Sequence, residues 1–266
     1  MNIEKENVIK NKNEAIKILN NYLDTCISTD IKHLKKANLI SYWLKDYIRY
    51  IENEETFSCD KLKKYNRGDI IKVNLGFNIG NEEGGLHYCV VLDVINAKNY
   101  STLTVVPLTS QKTNKTTPNS AILLGTEIYD NLSTKNKNLK ENATKKSKEY
   151  ADELKIISAL PENNEDEKII KTVKLNNISE KMKLLKNDID LIDKVEKEIS
   201  QMKNGSIALI NQITTISKQR IYNPKSDVDV LAGIRLSNNS LDLIDEKIKR
   251  LFIKNWILLL TLTHII

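Results

Sequence analysis

The stretch Arg67-Gly-Asp-Ile-Ile-Lys-Val-Asn-Leu-Gly-Phe-Asn-Ile-Gly-Asn-Glu-Glu-Gly-Gly-Leu-His-Tyr-Cys-Val-Val-Leu-Asp93 decides the fold. Ile70, Ile71, Val73 and Leu75 form a short β-branched run. Cys89, Val90, Val91 and Leu92 form the continuous apolar run that a buried strand requires. Between them Gly76, Gly80, Gly84 and Gly85 open backbone geometries closed to other residues, so the segment predicts a tight loop with backbone N–H groups near an anion and His87 at the start of the second strand.

Working outward, Leu103-Thr-Val-Val-Pro-Leu108 predicts a third strand that ends in the hydroxyls of Thr109 and Ser110, and Asn119–Leu124 predicts a fourth. On the N-terminal side Ile16, Leu19, Tyr22 and Leu23, then Leu34, Ala37, Ile40, Trp43, Leu44, Tyr47, Ile48 and Ile51, recur at helical spacing. Ser28-Thr-Asp30 separates them, giving two helices whose expected role is packing. Trp43 is read as a core or interface residue.

Past residue 125 the composition turns to Lys, Glu and Asn. Ile178, Met182, Leu185, Ile189, Ile192, Ile199 and Met202 give, apart from one longer gap, the steps of three and four of a coiled-coil seam. Leu139, Ala143, Tyr150, Leu154 and Ile157 suggest the partner helix, with Pro161-Glu-Asn-Asn164 as connection. An antiparallel hairpin is expected over residues 126–203, either an arm for oligomerisation or docking or a passive elaboration. The chain then returns through Ile207-Ala-Leu-Ile210 and Ile213 as one strand and ends in a helix containing Leu241, Ile244, Ile248, Leu251 and Phe252.

This order predicts an α+β fold around a small, partly open antiparallel β-barrel with N-terminal helices, the inserted helical hairpin and a C-terminal helix. Expected boundaries are 1–60 for the N-terminal extension, 61–125 with 204–266 for the barrel and last helix, and 126–203 for the insertion.

A formal net charge of +6 over 266 residues suits a polyanionic partner. Cys26, Cys59 and Cys89 are odd in number and lack ligand spacing, which argues against a disulfide framework or zinc site and for a reducing cytoplasm. The polar N-terminus lacks a signal-peptide core. The apolar run Trp256–Ile266 falls short of the roughly 20 residues that span a bilayer, so no membrane association is expected. No P-loop, GxSxG elbow, HExxH or dinucleotide fingerprint is present, and His33 and His264 have no ligand-spaced partners.

Arg67-Gly-Asp, the Gly80-Asn-Glu-Glu-Gly-Gly85 loop, Val105-Val-Pro-Leu-Thr-Ser-Gln111 and Ser206-Ile-Ala-Leu-Ile-Asn-Gln-Ile-Thr-Thr-Ile216 stand in the order of the MazF/PemK toxins, and the chain resembles that family of small β-barrel endoribonucleases. The resemblance implies a toxin of a toxin-antitoxin system that cleaves single-stranded RNA without metal or cofactor. A ribose 2′-OH would attack its phosphate to give a cyclic phosphate and a 5′-OH product. It also implies that the barrel is SH3-like, and it implies a homodimer and an antitoxin protein as partner.

The family usually carries Arg-Pro shortly after its loop glycine; here His87-Tyr88 stands there. An imidazole can accept or give a proton near neutral pH, whereas a guanidinium offers only donors, so the exchange would move the site toward acid-base chemistry. The resemblance makes Thr109 a hydroxyl on the scissile phosphate, with Ser110 as its neighbour and Gln111 and Lys112 extending the phosphate surface. Arg67 and Lys72 are expected RNA-backbone contacts, with Gly84 and Gly85 in the binding loop. Two other readings compete: a barrel that has lost catalysis and holds RNA or protein, and a poison of a topoisomerase acting through its C-terminal helix.

Overall fold

A computed structural model describes residues 4–112, 116–203 and 205–254. The apolar run at Trp256–Ile266 and His264 lie outside the described residues. The chain divides into two compact units, Met1–Phe57 with Leu75–Gly85, and Ser58–Asn74 with Leu86–Ile266.

The first unit contains α1 (Lys5–Thr29) and α2 (Ile31–Glu52), broken where Asp30 accepts the N–H groups of Lys32 and His33 and so caps α2. Its loop is closed by its own backbone: Leu75 N–H donates to Gly85 C=O at 2.7 Å and Gly85 N–H to Gly76 C=O at 2.6 Å. A Cβ on Gly84 would stand 2.8 Å from the Gly76 oxygen, and one on Gly76 (φ 86°) 2.8 Å from the Trp43 ring. Both glycines are therefore demanded by close approach. Trp43 packs in this unit with Tyr47 and Tyr50.

The second unit is a seven-stranded antiparallel sheet of β1 (Ile70–Asn74), β2 (Leu86–Val91), β3 (Thr102–Ser110), β4 (Ala121–Gly125), β5 (Ser206–Leu209), β6 (Thr214–Ser217) and β7 (Ile221–Asn223). Its spatial order is β4-β5-β3-β2-β1-β7, and β6 also pairs with β3. The α+β fold with an open antiparallel sheet is thus as expected.

One expected element is shorter than its apolar run. The strand expected over 207–213 ends at Leu209, a 3-10 turn follows (Ile210–Gln212), and β6 lies beyond it, because β5 pairs with Leu108–Ser110 of β3 while β6 pairs with Thr102–Val105. The turn spans the gap opposite Val106 and Pro107. Leu92 N–H donates to Thr104 C=O on the β2 edge and Gln111 N–H to Gly205 C=O on the other, so odd-numbered residues of β3 turn their backbone groups away from β2. Pro107, which has no N–H, faces the gap between β5 and β6 and costs the ladder nothing.

α3 (Glu127–Ser158) and α4 (Glu165–Gln201) form the inserted hairpin, and α5 (Asn238–Phe252) follows the sheet. The base of the hairpin is core: Ile128, Leu132 and Val195 pack with Ile70, Val90, Val106, Leu108, Ala208 and Ile244. Lys135 of α3 donates to the carbonyls of Asp229, Val230 and Ala232 at 2.8–2.9 Å. Along α4 the inward positions are Ile178, Leu185 and Ile192, seven residues apart, whereas Met182 and Ile189 are exposed. The alternate inward places go to Lys181, paired with Glu153, and Asp188, paired with Lys146. Among the described residues no helix is long and apolar enough to cross a membrane.

Candidate functional site

β2 pairs with β1 through Asn74↔Leu86, Val73↔His87 and Lys72↔Tyr88, and with β3 from Cys89↔Pro107 to Val91↔Val105. Alternation of side chains then sorts the candidates onto two faces. Tyr88 and Val90 face the core shared with α3, α4 and α5. His87 and Cys89 face the other way, and Thr109, also part-buried, lies two places beyond Pro107, the partner of Cys89, and so on the same face of β3 as Pro107. Ser110 falls on the opposite face from Thr109, so the two neighbouring hydroxyls do not share a site.

His87 is oriented by the backbone. Its Nδ1 lies 3.1 Å from the carbonyl oxygen of Leu108, the residue before Thr109. A carbonyl only accepts, so Nδ1 carries the hydrogen, and in the neutral ring the lone pair is on Nε2. A histidine held in this tautomer can accept a proton at Nε2.

Two of the expected RNA contacts have carboxylate partners. The Arg67 guanidinium donates to the Leu92 carbonyl and to Asp245 of α5, and its side chain is 21% exposed. Lys72 Nζ lies 2.7 Å from Glu198 Oε1 of α4, with both side chains 17% exposed, on the face opposite His87. Each cation is neutralised within the fold. Gln111 and Lys112, past the end of β3, are exposed, and Gln111 is packed so closely on Gly205 (φ 82°) that a Cβ there would meet its Oε1 at 2.5 Å. Gly84 and Gly85 lie in the first unit, where Gly85 N–H is spent on Gly76. Glu82 accepts the Ile79 N–H and shapes the same loop.

Sequence reasoning did not find Glu198 and Tyr88. The Tyr88 hydroxyl donates to Glu198 Oε1, the oxygen that also receives Lys72, and the ammonium stands 5.1 Å from the Tyr88 ring centroid. Burial, then the bond to Glu198, pushes the phenol well above its usual range and keeps it a donor. The pair is separated by 110 residues, and no local pattern announces it. Lys218, 2% exposed, is likewise structural: it donates to Ala97 and Lys98 carbonyls, and burial lowers its pKa. No group of three or more His, Cys, Asp or Glu among the described residues is arranged to hold a metal ion.

Residues 66–143 match the model of the PemK-like, MazF-like toxins of type II toxin-antitoxin systems. The matched segment runs from the turn before β1 through β4 and into α3, and so contains His87, Thr109 and Ser110. No curated protein matches the chain. The match, together with the open antiparallel sheet to which the strands of the matched segment belong, supports reading residues 66–143 as a MazF/PemK-like toxin domain.

Proposed function

We propose that the chain is a metal-independent endoribonuclease toxin acting on single-stranded RNA, with His87 as proton acceptor and Thr109 as a donor to the scissile phosphate. The observation that carries this reading is the 3.1 Å contact of His87 Nδ1 with the Leu108 carbonyl, which leaves Nε2 basic on the face of Thr109. In the reaction the 2′-OH gives its proton to Nε2 while its oxygen bonds to phosphorus. The bond from phosphorus to the 5′ oxygen breaks, and that oxygen takes a proton from the imidazolium or from water. The products are a 2′,3′-cyclic phosphate and a 5′-OH. The Thr109 hydroxyl donates to a phosphoryl oxygen as charge accumulates there. Lys112, exposed beyond β3, adds positive charge for the RNA backbone, the term that dominates such binding. The family match over residues 66–143 supports an antitoxin as the neutralising partner, and the resemblance implies a homodimer as the working form.

The test is cleavage of single-stranded RNA by the purified chain in EDTA, with the product ends identified. His87→Ala is expected to lower the rate by about 10²–10⁴, the usual worth of a general acid or base. Thr109→Ala is expected to lower it by up to roughly 10². Loss of cleavage on chelation, or two variants as fast as wild type, overturns the mechanism. RNA bound without turnover would instead favour a binding module, a reading consistent with the neutralised Arg67 and Lys72.

A further inference from the structure

The part of β2 that carries His87 is asymmetrically held. Its pairing with β3 ends at Cys89↔Pro107, while its pairing with β1 continues through Val73↔His87 to Asn74↔Leu86. The segment's second fastening is a side chain. The Tyr88 hydroxyl and the Lys72 ammonium, cross-strand neighbours on β2 and β1, converge on one oxygen of Glu198, in the last turn of α4. With Lys72 and Glu198 each 17% exposed, water competes weakly for these bonds.

We infer that Glu198 is a positioning residue for His87, so that the inserted helical hairpin, through its last turn, sets the geometry of the candidate active site. The inference rests on the function proposed above. Tyr88 and His87 share a peptide plane, and their side chains leave opposite faces of the strand. A shift of Tyr88 toward or away from α4 therefore tilts the plane that aims the imidazole at the Leu108 carbonyl. Displacements near 1 Å at a reacting group can cost about 10² in rate, and sites keep their precision only when a supporting set of bonds locks the acting side chain. Glu198 also explains why Lys72 lies on this face: its charge stabilises the carboxylate that accepts from Tyr88.

The experiment measures cleavage by the full chain for Glu198→Ala, Glu198→Gln and Tyr88→Phe, each at known folded fraction. Alanine and phenylalanine are expected to lower kcat by on the order of tenfold to a hundredfold with KM little changed. Glutamine, which keeps an acceptor oxygen for Tyr88, is expected to restore most of the loss. Combining Tyr88→Phe with His87→Ala is expected to add nothing to the histidine loss. Wild-type kcat in a folded Tyr88→Phe chain, or a loss that multiplies in full with His87→Ala, overturns the inference.

A wild type that cleaves nothing defeats the proposed function separately. Ring nitrogen shifts of His87, one of three histidines, then decide the inference. The Nδ1–H tautomer giving way to a mixture in Tyr88→Phe supports positioning by Glu198, and unchanged shifts refute it.

Discussion

The molecule contains two antiparallel helical hairpins built from similar material, and they are stabilised differently. α1 and α2 bury only Cys26 and Ala37, beside their turn, while Ile9, Ile16, Ile48 and Ile51 toward the open end stay 44–51% exposed. α3 and α4 bury Ile128, Leu132, Ala143, Ile157, Ile178, Leu185, Ile192 and Val195. Both pairs have an apolar stripe. The second adds a third layer at its base, where its helices complete the core of a sheet, and cross-links along its length, where Lys146–Asp188 and Lys181–Glu153 join the helices. Two helices alone bury one line of contact; a domain core needs another element to close it.

The contrast can be broken at the side chains that create it. Leu132, 0% exposed, is expected to cost about 2–5 kcal/mol on substitution by alanine, measured by urea unfolding. The matching change in the first hairpin, Leu19→Ala, is part-buried and expected to cost under about 1 kcal/mol. Equal costs would show that the two hairpins are fastened alike.

Lys135→Met removes the ammonium from three carbonyls and is expected to cost about 1–3 kcal/mol near neutral pH. Burial, the dominant influence, lowers this lysine from 10.5 to about 8 despite the opposing pull of Asp229. Between those values the unfolded chain holds a proton that the folded chain has released. The wild type should therefore gain stability relative to Lys135→Met as pH rises from about 8 toward 10.5. Unfolding at pH 7 and pH 10 reads the sign, and a gap that narrows would mean the ammonium is retained. Smallest is Glu153→Gln, which loosens a half-exposed ion pair worth about 0.2–1 kcal/mol. Its effect should vanish in 1 M salt, at a Debye length of about 3 Å.

The parts of the fold legible in the sequence were those set by local pattern. The β-branched runs at Ile70–Val73 and Cys89–Leu92 became β1 and β2, and Asp30 broke the first two helices by capping the second. The run at 207–213 misled because the end of β5 at Leu209 and the start of β6 at Thr214 are dictated by pairing with β3, far earlier in the chain. Met182 and Ile189 fit a seam by spacing, but ion pairs took the inward positions. The candidate site divides in the same way. Alternation along Val105–Ser110 already separates Thr109 from Ser110, whereas the partners of Arg67 and Lys72 lie 178 and 126 residues away. Nothing local distinguishes a lysine bound for a phosphate from one bound for Glu198.

β4 and β5, the strands on either side of the helical arm, are antiparallel partners through Ala121↔Leu209, Ile122↔Ala208 and Leu123↔Ile207. Arm and strands together form one continuous hairpin, zipped as helices at the far end and as a ladder at the near end. For folding kinetics this changes the cost of a long connection. Closing the whole intervening segment as a loose loop would carry an entropy penalty before any strand contact repaid it. Pairing α3 with α4 shortens the effective loop to a few residues, so that β5 arrives beside β4 and β3 by propagation of a local structure instead of a long-range search.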